Sequence, residues 1–191
     1  MIQISDKGLA FITAREGLAH YMYRDTRGLP TIGVGHLLTQ SENTSGKLDG
    51  TNIRWSAGLT DDQIKTLLHD DLMDTENDLN VSLRAGDMLP IPYTQEQVDA
   101  LISLVYNIGI GAFNASTLRK KLGKGLVKEV PKQILRWCHN HNGSVNAGLL
   151  RRRELEVDLW NGLGYGDLSV DRKSTRLNSS HIPLSRMPSS A

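Results

Sequence analysis

The 191 residues contain one cysteine, Cys138, so no internal disulfide braces the fold and a reducing compartment is the simple setting for folding. Cys138 follows Trp137 in a stretch that reads as helix, with no base at a motif spacing, which favours a packed side chain over a nucleophile. Cys138, His139 and His141 fall short of a four-ligand zinc pattern, so neither metal nor cofactor is expected. Aromatic residues make up only 5%, which leaves the core to Leu, Ile and Val. No apolar run approaches the ~20 residues of a membrane-spanning helix. Met1 to Gly17 carries Asp6, Lys7, Arg15 and Glu16 where a signal peptide or anchor would be apolar, so no stable membrane insertion is expected.

The hydrophobic content of 39% suffices for one domain, and the length suits two lobes around a cleft. A formal net charge of +1 hides an asymmetry: residues 1–118 sum to −7, residues 119–153 to +9 and residues 154–191 to −1. A basic segment of that kind suits an anionic polymer, although solvated helix faces are the plainer reading. It carries no nucleic-acid-binding motif, and the acidic remainder would repel phosphate, so no nucleic acid partner is expected. After about Asp171 the chain turns rich in Ser, Arg and Pro without helical or strand period. The 171–191 tail reads as disordered or as vector-derived read-through, which leaves residues 1–168 as the structured unit.

Ser5 can cap a first helix that ends at Gly17, with Leu9, Phe11 and Ile12 as its apolar side and Gly8 as its weak point. Tyr21–Asp25 and Thr31–His36 alternate as a small antiparallel hairpin around an Asp25-Thr26-Arg27-Gly28 turn. Residues 39–58 are polar and glycine-rich and read as loop. Thr60 with Gln63, and Thr94 with Gln97, form two capping boxes. The first opens a helix bearing Ile64, Leu67, Leu68 and Leu72. The second opens an apolar helix through Val98, Leu101, Ile102, Val105 and Tyr106, with Pro90 and Pro92 between the two. Further helical patterns run near Ser116–Leu122, Val130–His139 and Leu149–Leu159. The order is helix, small sheet, then many helices: an α+β fold. The expected division is a sheet lobe over about 15–60, a connecting helix over about 60–85, and a helical lobe over about 93–168 that includes the N-terminal helix.

Glu16 closes the first helix, and Asp25 stands nine residues later in the turn. Glycoside hydrolysis needs two carboxyl groups flanking the bond, one protonated and one ionised. Unpaired carbonyls at a helix C-terminus disfavour a negative charge, which suits Glu16 as a general acid. Asp25, in a polar turn between Arg24 and Arg27, is placed to stay ionised. The spacing alone is better read as a helix-end Glu and a turn-forming Asp.

A resemblance adds to that reading. Glu16-Gly17-Leu18, Tyr23-Arg24-Asp25-Thr26, Gly28 and Thr31-Ile32-Gly33-Val34-Gly35-His36 resemble the active-site signature of the phage-type lysozymes, the endolysins of glycoside hydrolase family 24. Ala100–Gly109 with Gly111-Ala112-Phe113 and Ser116-Thr117-Leu118 is similar to that family's central helix and following turn, and Arg136-Trp137 with Gly148–Glu154 to its C-terminal helices. The resemblance implies a lysozyme-like fold and hydrolysis of the β-1,4 bond between N-acetylmuramic acid and N-acetylglucosamine in peptidoglycan, with inversion. Glu16 would be the acid, Asp25 the second carboxylate, and Thr31 a holder of the attacking water.

The resemblance further implies that His36 pairs with an acid on the connecting helix, Asp71 before Asp70, with a raised His36 pKa. Leu37, Tyr106 and Thr117 would line sugar sites, although Leu37 and Tyr106 also suit ordinary packing. Asn107 fits an amide position beside Tyr106, while Pro131 departs from a proposed sugar contact. One of Arg151, Arg152 and Arg153 would pair with Glu16; Arg151 is expected, because Leu155 and Leu159 then face the core, against three solvated arginines. A monomer is expected, accumulating in the host cytoplasm and reaching the wall through a holin pore. The rival readings are a non-catalytic peptidoglycan-binding module and a lytic transglycosylase, which needs a Glu but no water-activating Asp.

Overall fold

The structure, a computed structural model, describes residues 2–25, 27–84, 92–140 and 142–168. Thr26, Pro90, His141 and the 171–191 tail lie outside the described residues.

Helix α1 (Asp6–Glu16) starts at Ser5, whose hydroxyl accepts from the Gly8 N–H, and ends at Gly17, which takes φ +79° while its N–H donates to the Thr13 carbonyl. Gly8 is a requirement of packing: a Cβ there would stand 2.6 Å from Asp99 Cγ and 2.7 Å from Ile4 Cγ1. A three-stranded antiparallel sheet follows, in the order β1 (Ala19–Arg24), β2 (Pro30–Gly33) and β3 (His36–Leu37). The expected hairpin is therefore corrected to three strands. Gly33 and Gly35 take φ of +65° and +82° and turn the Thr31–His36 run back on itself.

Residues 39–58 are not simply loop. Thr39 and Glu42 form a capping box that opens α2 (Gln40–Ser45), and a short 3-10 turn spans Trp55–Ala57. Helix α3 (Asp61–Arg84) begins at the Thr60–Gln63 box and buries Ile64, Leu67, Leu68, Leu72 and Leu79. Helix α4 (Gln95–Ile108) begins at the Thr94–Gln97 box and is buried continuously from Val98 to Ile108. It is the axis of the helical body, packing on α1, α3, α5 (Ile110–Ala115) and α8 (Ala147–Trp160). Helix α6 (Thr117–Gly123) and α7 (Val130–Ile134) complete it. Helix α7 stops five residues short of the expected His139, because Asn140 and Asn146 close a turn held by the His139–Val145 bridge. Among the described residues, no helix is long and apolar enough to cross a membrane.

Candidate active site

Glu16 is the last residue of α1, and its side chain is only 4% exposed. Its Oε1 accepts from Arg152 Nη1 on α8. The expected partner was Arg151; the structure corrects this to Arg152. Consecutive residues on a helix point about 100° apart, and the buried stripe of α8 runs through Arg152, Arg153, Glu156, Leu159 and Trp160. Arg151 lies off that stripe, exposed, with Glu154 Oε2 at 3.4 Å.

Arg152 and Arg153 are both buried in one cluster with the carboxyl groups of Glu16 and Glu156. Burial, the largest influence, lowers the Arg152 guanidinium, yet Glu16 and Glu156 together hold it above its ordinary value. Burial wins at Arg153, which is lowered to about 10 despite Glu156. Asn107, the amide expected near the sugars, is 2% exposed and accepts from Arg153 Nη2 at 3.0 Å.

Asp25 follows β1 in a turn built on its own side chain. Its Oδ1 accepts from the N–H groups of Arg27 and Leu29, both at 2.8 Å, and its Oδ2 lies 3.3 Å from Arg27 Nε. Burial pushes the carboxyl up, but those amides and the Arg27 guanidinium outweigh it and hold Asp25 below the ordinary carboxylate value.

The Leu29 carbonyl joins Asp25 to Thr31: it accepts from the Asp25 N–H at 2.9 Å and from the Thr31 hydroxyl at 3.1 Å. With its proton given to Leu29, the Thr31 oxygen is left as an acceptor. Thr31 stands opposite Tyr23 on one side and Leu37 on the other, so the three side chains form one row across a sheet face. Burial, then the negative charges of Glu16 and Asp25, hold the Tyr23 phenol above its ordinary value. Both carboxylates thus act on the same phenol. Tyr23 was not singled out from sequence; alternation places it two residues before Asp25, on the Thr31 face.

The supporting residues separate by role. His36 Nδ1 lies 2.9 Å from Asp71 Oδ1, and its Nε2 lies 3.1 Å from Glu42 Oε2, a second acid that sequence reading missed. The Glu of the Thr39 capping box was the available signal. The Tyr106 ring is buried and its hydroxyl donates to the Val34 carbonyl at 3.1 Å, tying α4 to the β2–β3 turn. Leu37 is half-buried beside Thr31, and Thr117 is exposed at the start of α6.

The family model described as phage lysozyme matches residues 13–156. The endolysin of Salmonella phage P22 is 34% identical over 137 residues, covering 72% of this chain and 84% of that protein. Among solved structures, a mutant P22 lysozyme superposes with a TM-score of 0.68 at 32% identity, covering 84% of this chain and 99% of that one. The muramidase domain of SpmX from Asticaccaulis excentricus superposes with a TM-score of 0.67 at 29% identity, covering 84% and 98%. The small antiparallel sheet on a mostly helical body is the fold those structures share, and this chain belongs to the phage lysozyme family.

Proposed function

We propose that this chain is an endolysin that hydrolyses the β-1,4 bond between N-acetylmuramic acid and N-acetylglucosamine in peptidoglycan, with Glu16 as general acid, Asp25 as second carboxylate and Thr31 holding the attacking water. The observation that carries the reading is that one Leu29 carbonyl holds both the Asp25 turn and the Thr31 hydroxyl, while Arg152 fixes Glu16 at the end of α1, three residues before the strand that leads to Asp25. A glycan strand laid across that face meets two acids in different surroundings. Glu16, shielded at a helix end, delivers a proton to the leaving oxygen. Asp25, held ionised by two amides and Arg27, faces the positive charge that develops at the anomeric carbon. A water bound to the Thr31 oxygen attacks from the opposite side of the ring and gives its proton to the Asp25 carboxylate, which inverts the anomeric centre. Leu37, Tyr106 and Thr117 are proposed to border the sugar sites, with Tyr106 acting through its ring because its hydroxyl is occupied. The relatives named endolysin and muramidase support the substrate class.

The test is release of reducing ends from purified peptidoglycan. Wild type releases them, and the product keeps an intact reducing sugar by mass. Glu16→Gln reduces release to background with the chain still folded. Wild-type release by that variant would sink the assignment, and an anhydro product would replace hydrolysis by a transglycosylase reaction. We further propose a monomer that builds up in the host cytoplasm and reaches the wall through a holin pore. Cells expressing it should then stay intact until their inner membrane is permeabilised.

A further inference from the structure

Glu156 is fully buried and takes no direct part in the proposed reaction. Three donors converge on its Oε1: the Ser103 hydroxyl at 2.8 Å, Arg153 Nη2 at 3.0 Å and Arg152 Nε at 3.3 Å. Its Oε2 lies 2.9 Å from Arg153 Nε in an ionic contact. Helix α4 supplies Ser103, and α8 supplies Glu156 and both arginines. The Arg152 guanidinium is held on three sides: Nε on Glu156, Nη2 on the Ser103 carbonyl at 3.4 Å, and Nη1 on Glu16. A planar fork with two edges fixed has one direction left for its third nitrogen.

We propose that Glu156 is the positioning residue of this site: seated by Ser103 and Arg153, it aims Arg152 Nη1 at the Glu16 carboxyl and cancels the positive charge that two buried arginines would otherwise turn on it. The proposal rests on the role of Glu16 given above. A glutamate that merely neutralised buried arginines would need no contact to Arg152 at all, since Arg153 alone touches both of its oxygens. The charged and titratable groups on the elements around Glu16 include Arg152, Arg153 and Glu156 of α8, Arg15 beside it on α1, Tyr23 of β1 and Asp25 after it; α4 offers the neutral Ser103 and Asn107. Without Glu156, Arg152 loses the contact that fixes its Nε, and the two buried arginines lose the carboxylate they share.

The experiment measures kcat, KM and the pH profile of kcat/KM on soluble peptidoglycan fragments for wild type, Glu16→Gln, Glu156→Gln, Glu156→Gln with Arg153→Gln, and Ser103→Ala. Glu156→Gln should lower kcat by roughly 10–100-fold, the scale of a misplaced catalytic group, with KM little changed. The double variant removes one charge of each sign, yet its kcat should stay low because Arg152 Nε still lacks its carboxylate. Wild-type kcat in the double variant would reduce Glu156 to charge balance and overturn the positioning role. Should Glu156→Gln fail to fold, Ser103→Ala decides, because it keeps every charge and removes one of the three donors that seat Glu156 Oε1: a lowered kcat at constant KM supports the proposal, and an unchanged kcat overturns it. If Glu16→Gln itself retains wild-type kcat, the catalytic assignment fails; if it is inactive while Glu156→Gln matches wild type, only the present proposal fails.

Discussion

Replacing a helical glycine with alanine normally stabilises a protein, and Gly8→Ala should do the reverse. Inside a helix the change is worth about 1 kcal/mol in favour of alanine. Against that stands the new methyl group, 2.6 Å from Asp99 Cγ, 2.7 Å from Ile4 Cγ1 and 2.8 Å from Asp99 Oδ1. Asp99 cannot swing aside. It is fully buried, and its oxygens accept from the Ser5 N–H at 2.9 Å, the Ser5 hydroxyl, Gln95 Nε2 at 2.9 Å and the Tyr165 hydroxyl at 2.7 Å. Overpacking costs about 1–3 kcal/mol, and each buried hydrogen bond lost on retreat costs about 1–3 kcal/mol more. The net expectation is a loss of about 2 kcal/mol, equivalent to a Tm lower by roughly 4–8 °C in a domain of this size. Gly111 on α5 is the internal control: a Cβ there meets nothing within 4 Å, so Gly111→Ala should gain about 0.5–1 kcal/mol. Thermal unfolding of the two variants side by side reads the sign. A Tm for Gly8→Ala at or above wild type would show that α1 is free to slide on α4, and that Glu16 at its far end is not rigidly placed.

His36 lies between two carboxylates: burial acts to lower its pKa, but Asp71 and then Glu42 outweigh that and raise it above the ordinary 6.5. With the folded value above the unfolded one, the charged ring stabilises the fold fully below about pH 6.5, and that contribution is lost as pH climbs through the raised folded value. Urea unfolding of wild type and His36→Asn from pH about 5.5 to about 9 should show a stability gap that narrows upward, and a constant gap would contradict the ion-pair geometry. Arg151, with its side chain 68% exposed, pairs only at the surface, so Arg151→Ala should stay within about 0.5 kcal/mol of wild type with full activity. Arg152→Ala strands Glu16 in the interior, while Glu156 keeps Arg153 and Ser103, and should cost about 3–5 kcal/mol; denaturant midpoints separate the two, and a reversed order would return Arg151 to the cluster.

The parts of this fold that the sequence spelled out are those governed by local chemistry. The Thr60 and Thr94 boxes and the Ser5 cap are each set by a side chain three residues from the backbone group it satisfies, and the Gly17 stop by a backbone N–H four residues from its carbonyl. The same rule applied at Thr39 and Glu42 would have found α2, because that box has the same spacing. It was hidden by composition, which marks a segment as polar without saying whether its polar groups are organised. The site was legible through its signature residues but not through its charges. Three adjacent arginines look alike in a sequence, and only the phase of the buried stripe tells them apart. Leu159 and Trp160 set that phase from the C-terminal end of α8: stepping back three or four reaches Glu156, and again Arg152 and Arg153. Starting from Leu155, which is only half-buried, points instead to Arg151. A stripe that begins in apolar residues and continues in charged ones misleads any reading that equates the core with hydrophobic side chains. Here the charged half of the stripe is where α8 meets α4 and the end of α1, so the residues hardest to read from the sequence are the ones that hold the proposed acid in place.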